Sequence, residues 1–75
     1  MLPILLTDIH NENVLVNAEE IATAERVTES ANGFLTELTQ IYFKNKNVSF
    51  VFVRETPSTI AMNVTNAMEW RSKLK

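Results

Sequence analysis

The chain is 75 residues long, 45% hydrophobic and 21% charged, with a net charge of −2, one glycine, one histidine and no cysteine. That defines a single domain over residues 1–75 whose core supplies only about 3–5 kcal/mol of net stability; with disulfides and Cys-ligated metals excluded, self-association is the expected staple. An acidic balance without a Lys/Arg cluster disfavours nucleic acid, the lone Gly33 excludes phosphate-cradling Gly-rich loops and Gly-x-Ser-x-Gly elbows, and the lone His10 leaves little for acid–base chemistry.

Met1 to Leu6 is an apolar start too short for a signal-peptide core, and no stretch approaches the ~20 apolar residues of a membrane span. A cytoplasmic protein without membrane insertion is expected. Ile4–Thr7 and Val14–Val16 are strand-like runs flanking polar His10-Asn11-Glu12-Asn13, where Asn accepts left-handed turn geometry, so a hairpin is predicted. Its consecutive apolar positions predict cover on both faces for at least part of the sheet.

Residues 17–33 carry two sets of signals. Asn17 as N-cap, Glu20 three residues later, apolar positions at helical spacing and Asn32-Gly33 as a stop favour a helix. The β-branched Thr23, Val27 and Thr28, and an imperfect alternation from Ile21 to Val27, allow a strand. Phe34–Phe43 and Val48–Val53, rich in aromatic and β-branched residues and separated by Lys44-Asn45-Lys46-Asn47, predict a second hairpin. Val48, Phe50 and Phe52 share one face and Val51 and Val53 the other, so the last strand is expected to be central or covered on each side. Thr56 as N-cap and Pro57 at the first helical position open a helix over 57–74. Its core stripe is Ile60, Val64, Ala67, Met68 and Leu74, with Met62 and Trp70 off it.

The order of these signals resembles the FlbD-type small proteins, a family associated with flagellar motor function. The likeness runs through Leu6-Thr7-Asp8-Ile9-His10-Asn11-Glu12-Asn13-Val14-Leu15-Val16-Asn17-Ala18-Glu19-Glu20-Ile21, then Thr39-Gln40-Ile41-Tyr42-Phe43-Lys44-Asn45, then Val51-Phe52-Val53-Arg54-Glu55-Thr56 and a helix. Two departures are the Asn-Glu-Asn and Asn-Lys-Asn turns, where the family usually has a glycine, and a longer stretch from Thr28 to Leu38. The resemblance implies that Asn17 to Glu20 is only a turn and Ile21 to Val27 a third strand. The expected fold is then mostly β: a small five-stranded bent sheet or an SH3/Sm-like barrel with a C-terminal helix, in a bacterial or phage setting.

Asp8, His10 and Glu12 alternate, but one imidazole and two carboxylates at a turn are weak metal ligands, and a solvated hairpin edge is the plainer reading. No metal and no cofactor are expected. Asn47-Val48-Ser49 and Asn63-Val64-Thr65 match the glycosylation pattern without a secretory signal, and no serine has a histidine partner other than distant His10, so no catalysis is expected. The aromatic surplus of Phe34, Tyr42, Phe43, Phe50, Phe52 and Trp70 exceeds what one helix covers. Trp70, Met62 and Phe43 are the candidate interface residues for a homo-oligomer or a protein partner. Arg71, Lys73 and Lys75 suit the helix C-terminus. Arg54 either pairs with Glu55 or turns its fork into a cleft. With Lys44 and Tyr42 it forms the candidate site for a small anionic ligand such as a nucleotide. Two readings result: a self-associating, non-enzymatic protein-interaction module, and an oligomer that sequesters such a ligand at its subunit interfaces.

Overall fold

A computed structural model describes residues 1–45, 47 and 50–73. The chain is mostly β, with five strands in two antiparallel sheets followed by one helix. The predicted strand start at Val48 and Ser49, and the helix end at Leu74, lie outside the described residues.

Strands β1 (Pro3–Thr7) and β2 (Asn13–Asn17) form the first hairpin, with Ile4 opposite Val16 and Leu6 opposite Val14. Alternation along the strands sends Ile4, Leu6 and Val16 into the core and leaves the Leu5–Leu15 pair in solvent, so this sheet is covered on one face rather than two. Asn11 supplies the expected left-handed turn residue at φ 63°, and the loop closes through Asp8 N–H donating to the Glu12 carbonyl at 2.9 Å.

The helix signals at Asn17 describe a real cap on a single turn. Its Oδ1 accepts from Glu19 N–H at 3.2 Å and Leu2 N–H at 3.0 Å, and the 3₁₀ turn Ala18–Glu20 ends after three residues. Strand β3 (Ile21–Ala31) then pairs along its length with β4 (Phe34–Phe43). Asn32 and Gly33, at φ 53° and 81°, both occupy the positive region that a two-residue hairpin turn of the primed type requires. The dipeptide that reads locally as a helix stop is a hairpin tip.

Strand β5 (Phe50–Val53) lies on the other side of β4, giving the order β3-β4-β5. Thus β4, not β5, is the central strand. The two sheets meet at an Asp8–Val53 bridge and at Arg54 N–H donating to the Thr7 carbonyl at 2.8 Å. They do not close into a barrel. No ladder joins β2 to the second sheet among the described residues, and an open cleft of about 300 Å³ lined by Val14, Val16, Phe43 and Val51 lies between them.

Helix α1 (Pro57–Lys73) is capped as expected, with Thr59 N–H donating to Thr56 Oγ1 at 3.2 Å. It packs on β1 and on β3. Ile60 is buried, and Val64 and Ala67 lean on the core cluster of Ile4, Leu6, Val16, Ile41 and Val53. Met68 is exposed instead, because at 100° per residue it stands about 80° from Ile60 around the helix. A polar staple joins the layers: the Glu55 carboxylate accepts from Thr7 N–H at 2.9 Å and Thr7 Oγ1 at 3.0 Å. The buried Thr39 hydroxyl donates to the Glu55 carbonyl and accepts from Arg26 Nη1 at 3.1 Å.

The long β3–β4 hairpin makes the molecule an elongated body of 50 × 24 × 19 Å. Its radius of gyration is 13.3 Å, against about 11 Å for a compact domain of this length. The stretch from Thr28 to Leu38 is the outer part of this arm. No helix among the described residues is long and apolar enough to cross a membrane.

Candidate interaction surface

The register of β3, β4 and β5 sorts their side chains onto two faces. Ala24, Ile41, Val51 and Val53 point into the core. The opposite face carries Glu25, Val27 and Glu29 on β3, Phe34, Thr36, Leu38, Gln40 and Tyr42 on β4, and Phe50 and Phe52 on β5. On this outer face Phe50 is exposed and Tyr42 and Phe52 are half-buried, while Leu38 is buried beside Ile9 and Phe52. Its rings form a continuous row: Tyr42 and Phe50 have centroids 6.2 Å apart, and Phe50 and Phe52 are edge to face at 5.2 Å. At the arm's tip Phe34 and Leu35 are 75% and 76% exposed.

Arg54 continues the face beyond Phe52. It makes no ion pair with Glu55, whose carboxylate is occupied by Thr7. Arg54 Nη2 donates to the Ile9 carbonyl at 2.7 Å, and the side chain lines an open hollow of about 400 Å³ together with Ile9, Phe52, Leu38 and Glu29. Of the anion-site candidates, Tyr42 shares the outer face with Arg54, but Lys44 follows the far end of β4, six residue steps or about 20 Å away. The hollow also contains the Glu29 carboxylate, which opposes an anion there.

The candidate interface residues are likewise apart. Trp70 and Met62 are 65% and 63% exposed, but eight positions separate them, about 12 Å along the helix. Trp70 borders a hollow with Met1, Leu2 and Pro3. Phe43 faces inward and packs partly against the core, because it shares parity with Ile41 on β4. The part played by Glu25, Val27 and Glu29 in the outer face was missed in the sequence; the signal for it is Asn32-Gly33, which fixes the hairpin register and thereby the face of every β3 residue.

At the β1–β2 turn, Asp8 Oδ1 accepts from His10 N–H at 2.8 Å and Glu12 N–H at 3.0 Å. The Glu12 N–H chiefly, with that of His10, holds the Asp8 carboxyl below the usual carboxylate range. This carboxylate organises its own turn, and among the described residues no cluster of three His, Asp or Glu side chains is placed to hold a metal.

The helix end is tied down by a second carboxylate. Glu19 meets the N-terminal ammonium at 3.2 Å and Arg71 Nη1 at 3.4 Å. The hydrogen bond from the ammonium, then its charge, then Arg71, lower the Glu19 pKa. A lowered folded-state pKa contributes stability that is present above the ordinary glutamate value and is lost as pH falls through the folded value. Acid titration should therefore release the end of α1 from β1 and shift the Trp70 emission. Glu19→Gln should remove that acid limb; an unchanged emission titration in the variant would refute the tether.

No protein-family model matches the chain, and no curated protein or solved structure shows detectable similarity to it.

Proposed function

We propose that this protein is a small interaction module that self-associates and binds a protein partner, with no chemistry of its own. One observation carries the reading: eight apolar side chains are buried among the described residues, whereas ten large hydrophobic ones are exposed. Single exposed hydrophobes are ordinary on protein surfaces. Here they gather with partly covered neighbours, as in the row of Tyr42, Phe50 and Phe52 near Ile9, and contiguous apolar surface of this kind marks an association site. Covering it would add burial to a core that is small for its chain length.

The helix adds exposed Met62 and Trp70, about 80° apart around its axis, which we assign to a protein partner. The resemblance to FlbD-type proteins supports a bacterial or phage cytoplasm and a flagellar link. Sequestration of a small anion draws support from the Arg54 fork alone, and Glu29 in the same hollow weighs against it.

Native mass spectrometry of the purified protein tests the reading. The expected result is a discrete oligomer of the 8.5 kDa chain without retained small molecule. A monomer at micromolar concentration would refute self-association, and an oligomer with stoichiometric extra mass would favour ligand sequestration.

A further inference from the structure

We infer, resting on the self-association proposed above, that two copies pair through the outer face of the β3-β4-β5 sheet, about a two-fold axis running parallel to the strands. The occupant of the aromatic face is thus a second copy of this chain, and the charge pattern across the face selects it. Glu25 and Glu29 stand on β3, and Arg54, which follows the last residue of β5, stands on the other side of β4, where its hollow also reaches Glu29 of its own copy. Arg54 makes no ion pair among the described residues, nor do Glu25 and Glu29.

Two sheets stacked face to face lie about 10 Å apart with strands roughly aligned. Two symmetric arrangements satisfy this. A dyad perpendicular to the strands, in the plane between the sheets, puts β3 over β3 and faces Glu25 and Glu29 with their own copies. A dyad parallel to the strands puts β3 of one copy over β5 of the other. Only the second brings opposite charges together.

Rotation about an axis leaves heights along that axis unchanged, so this dyad also fixes the register. Thr39 pairs with Val53, which places Arg54 at the level of Leu38; Leu38 in turn pairs with Val27. Arg54 of one copy therefore arrives opposite Val27 of the other, between Glu25 and Glu29, each two residues or about 7 Å along the strand. The interface is isologous, so this contact occurs twice. The central strand β4 lies on the axis, where Tyr42 packs over Tyr42 of the second copy, and Phe34 at the arm's tip over its own mate. The rings Phe50 and Phe52 cover Thr23 and Glu25 of the opposing β3.

Charge exchange tests the arrangement. Arg54→Glu should shift the native mass to that of the monomer, because it opposes carboxylate to carboxylate in both copies of the contact. Glu25→Arg with Glu29→Arg should do the same. Mixing the two variants in equal amounts should restore the wild-type dimer, since one copy then presents only carboxylates and the other only guanidinium groups at the two contacts. Far-UV circular dichroism checks that each variant folds. If loss of the Arg54 contact to Ile9 unfolds Arg54→Glu, the exposed Glu25→Arg/Glu29→Arg pair and the exposed Phe34→Glu decide, both being expected to give folded monomers. A wild-type assembly that persists in these folded variants overturns this interface while leaving self-association intact. A wild-type monomer overturns both, and dissociation by Trp70→Ala with the charge variants unaffected moves the interface to the helix.

Discussion

Ile41→Ala should leave a chain that is largely unfolded as a monomer at room temperature. Ile41 is fully buried on the central strand, within the cluster formed by Leu6, Val16, Val53 and Ile60, so both sheets and the helix converge on it. Removing three carbons from such a site costs about 2–5 kcal/mol, through lost transfer energy and the cavity left behind. A core of this size supplies only about 3–5 kcal/mol. Urea denaturation followed by circular dichroism should show the transition moved to near-zero denaturant, and Leu5→Ala, on the solvent side of β1, should shift it by under about 0.5 kcal/mol. The dilution dependence is informative as well: if assembly stabilises the fold by mass action, raising protein concentration should recover part of the Ile41→Ala loss. A variant as stable as wild type would mean that the core lies elsewhere.

The parts of this fold that were legible in the sequence are those where local chemistry and tertiary context agree. The β1–β2 turn follows from Asn11, and the start of α1 follows from Thr56 and Pro57, because each of those residues satisfies its own neighbourhood. Residues 17–33 were ambiguous because a short local signal and a long-range one compete there. Asn17 caps whatever turn follows it, and the cap is present, yet helix nucleation is costly and one turn gives way to an eleven-residue strand, ten of whose residues pair with β4. The Asn32-Gly33 turn gives the physical reason for the strand, since it folds β3 back onto β4. Barrel closure was open in the sequence and is absent from the fold, since it depends on where β2 meets β3 rather than on either strand's composition.

The candidate sites were legible in part. Tyr42 and Arg54 do share a face, which follows from strand parity once the register is known. Pairing Arg54 with its neighbour Glu55 was the simple sequence expectation, and it failed because the Arg54 guanidinium is held by the Ile9 carbonyl on the far side of the junction from Thr7. Glu55 instead reaches 48 positions back along the chain to Thr7. No local pattern announces such a contact.

Thr39 is the clearest case of a residue whose importance comes only from packing. It reads as one more β-branched position in strand β4, yet it is the single buried polar residue among those described. Its hydroxyl donates to the Glu55 carbonyl and accepts from Arg26, whose guanidinium also meets Glu37 at 3.6 Å. Thr39→Val keeps the shape and removes both bonds. The Glu55 carbonyl keeps only the long Arg26 contact at 3.5 Å, and an unsatisfied group in such a site costs about 1–3 kcal/mol. The loss should be local before it is global, because the same junction carries the Arg54 N–H bond to Thr7 and the first turn of α1. Hydrogen exchange should therefore quicken at Arg54 and Ile60 well before it quickens at the β3–β4 arm, whereas Thr36→Val, on the outer face, should leave both rates near wild type. Uniform acceleration across the chain in Thr39→Val would show instead that the junction and the arm unfold as one unit, and unchanged exchange would show that the hydroxyl holds nothing together.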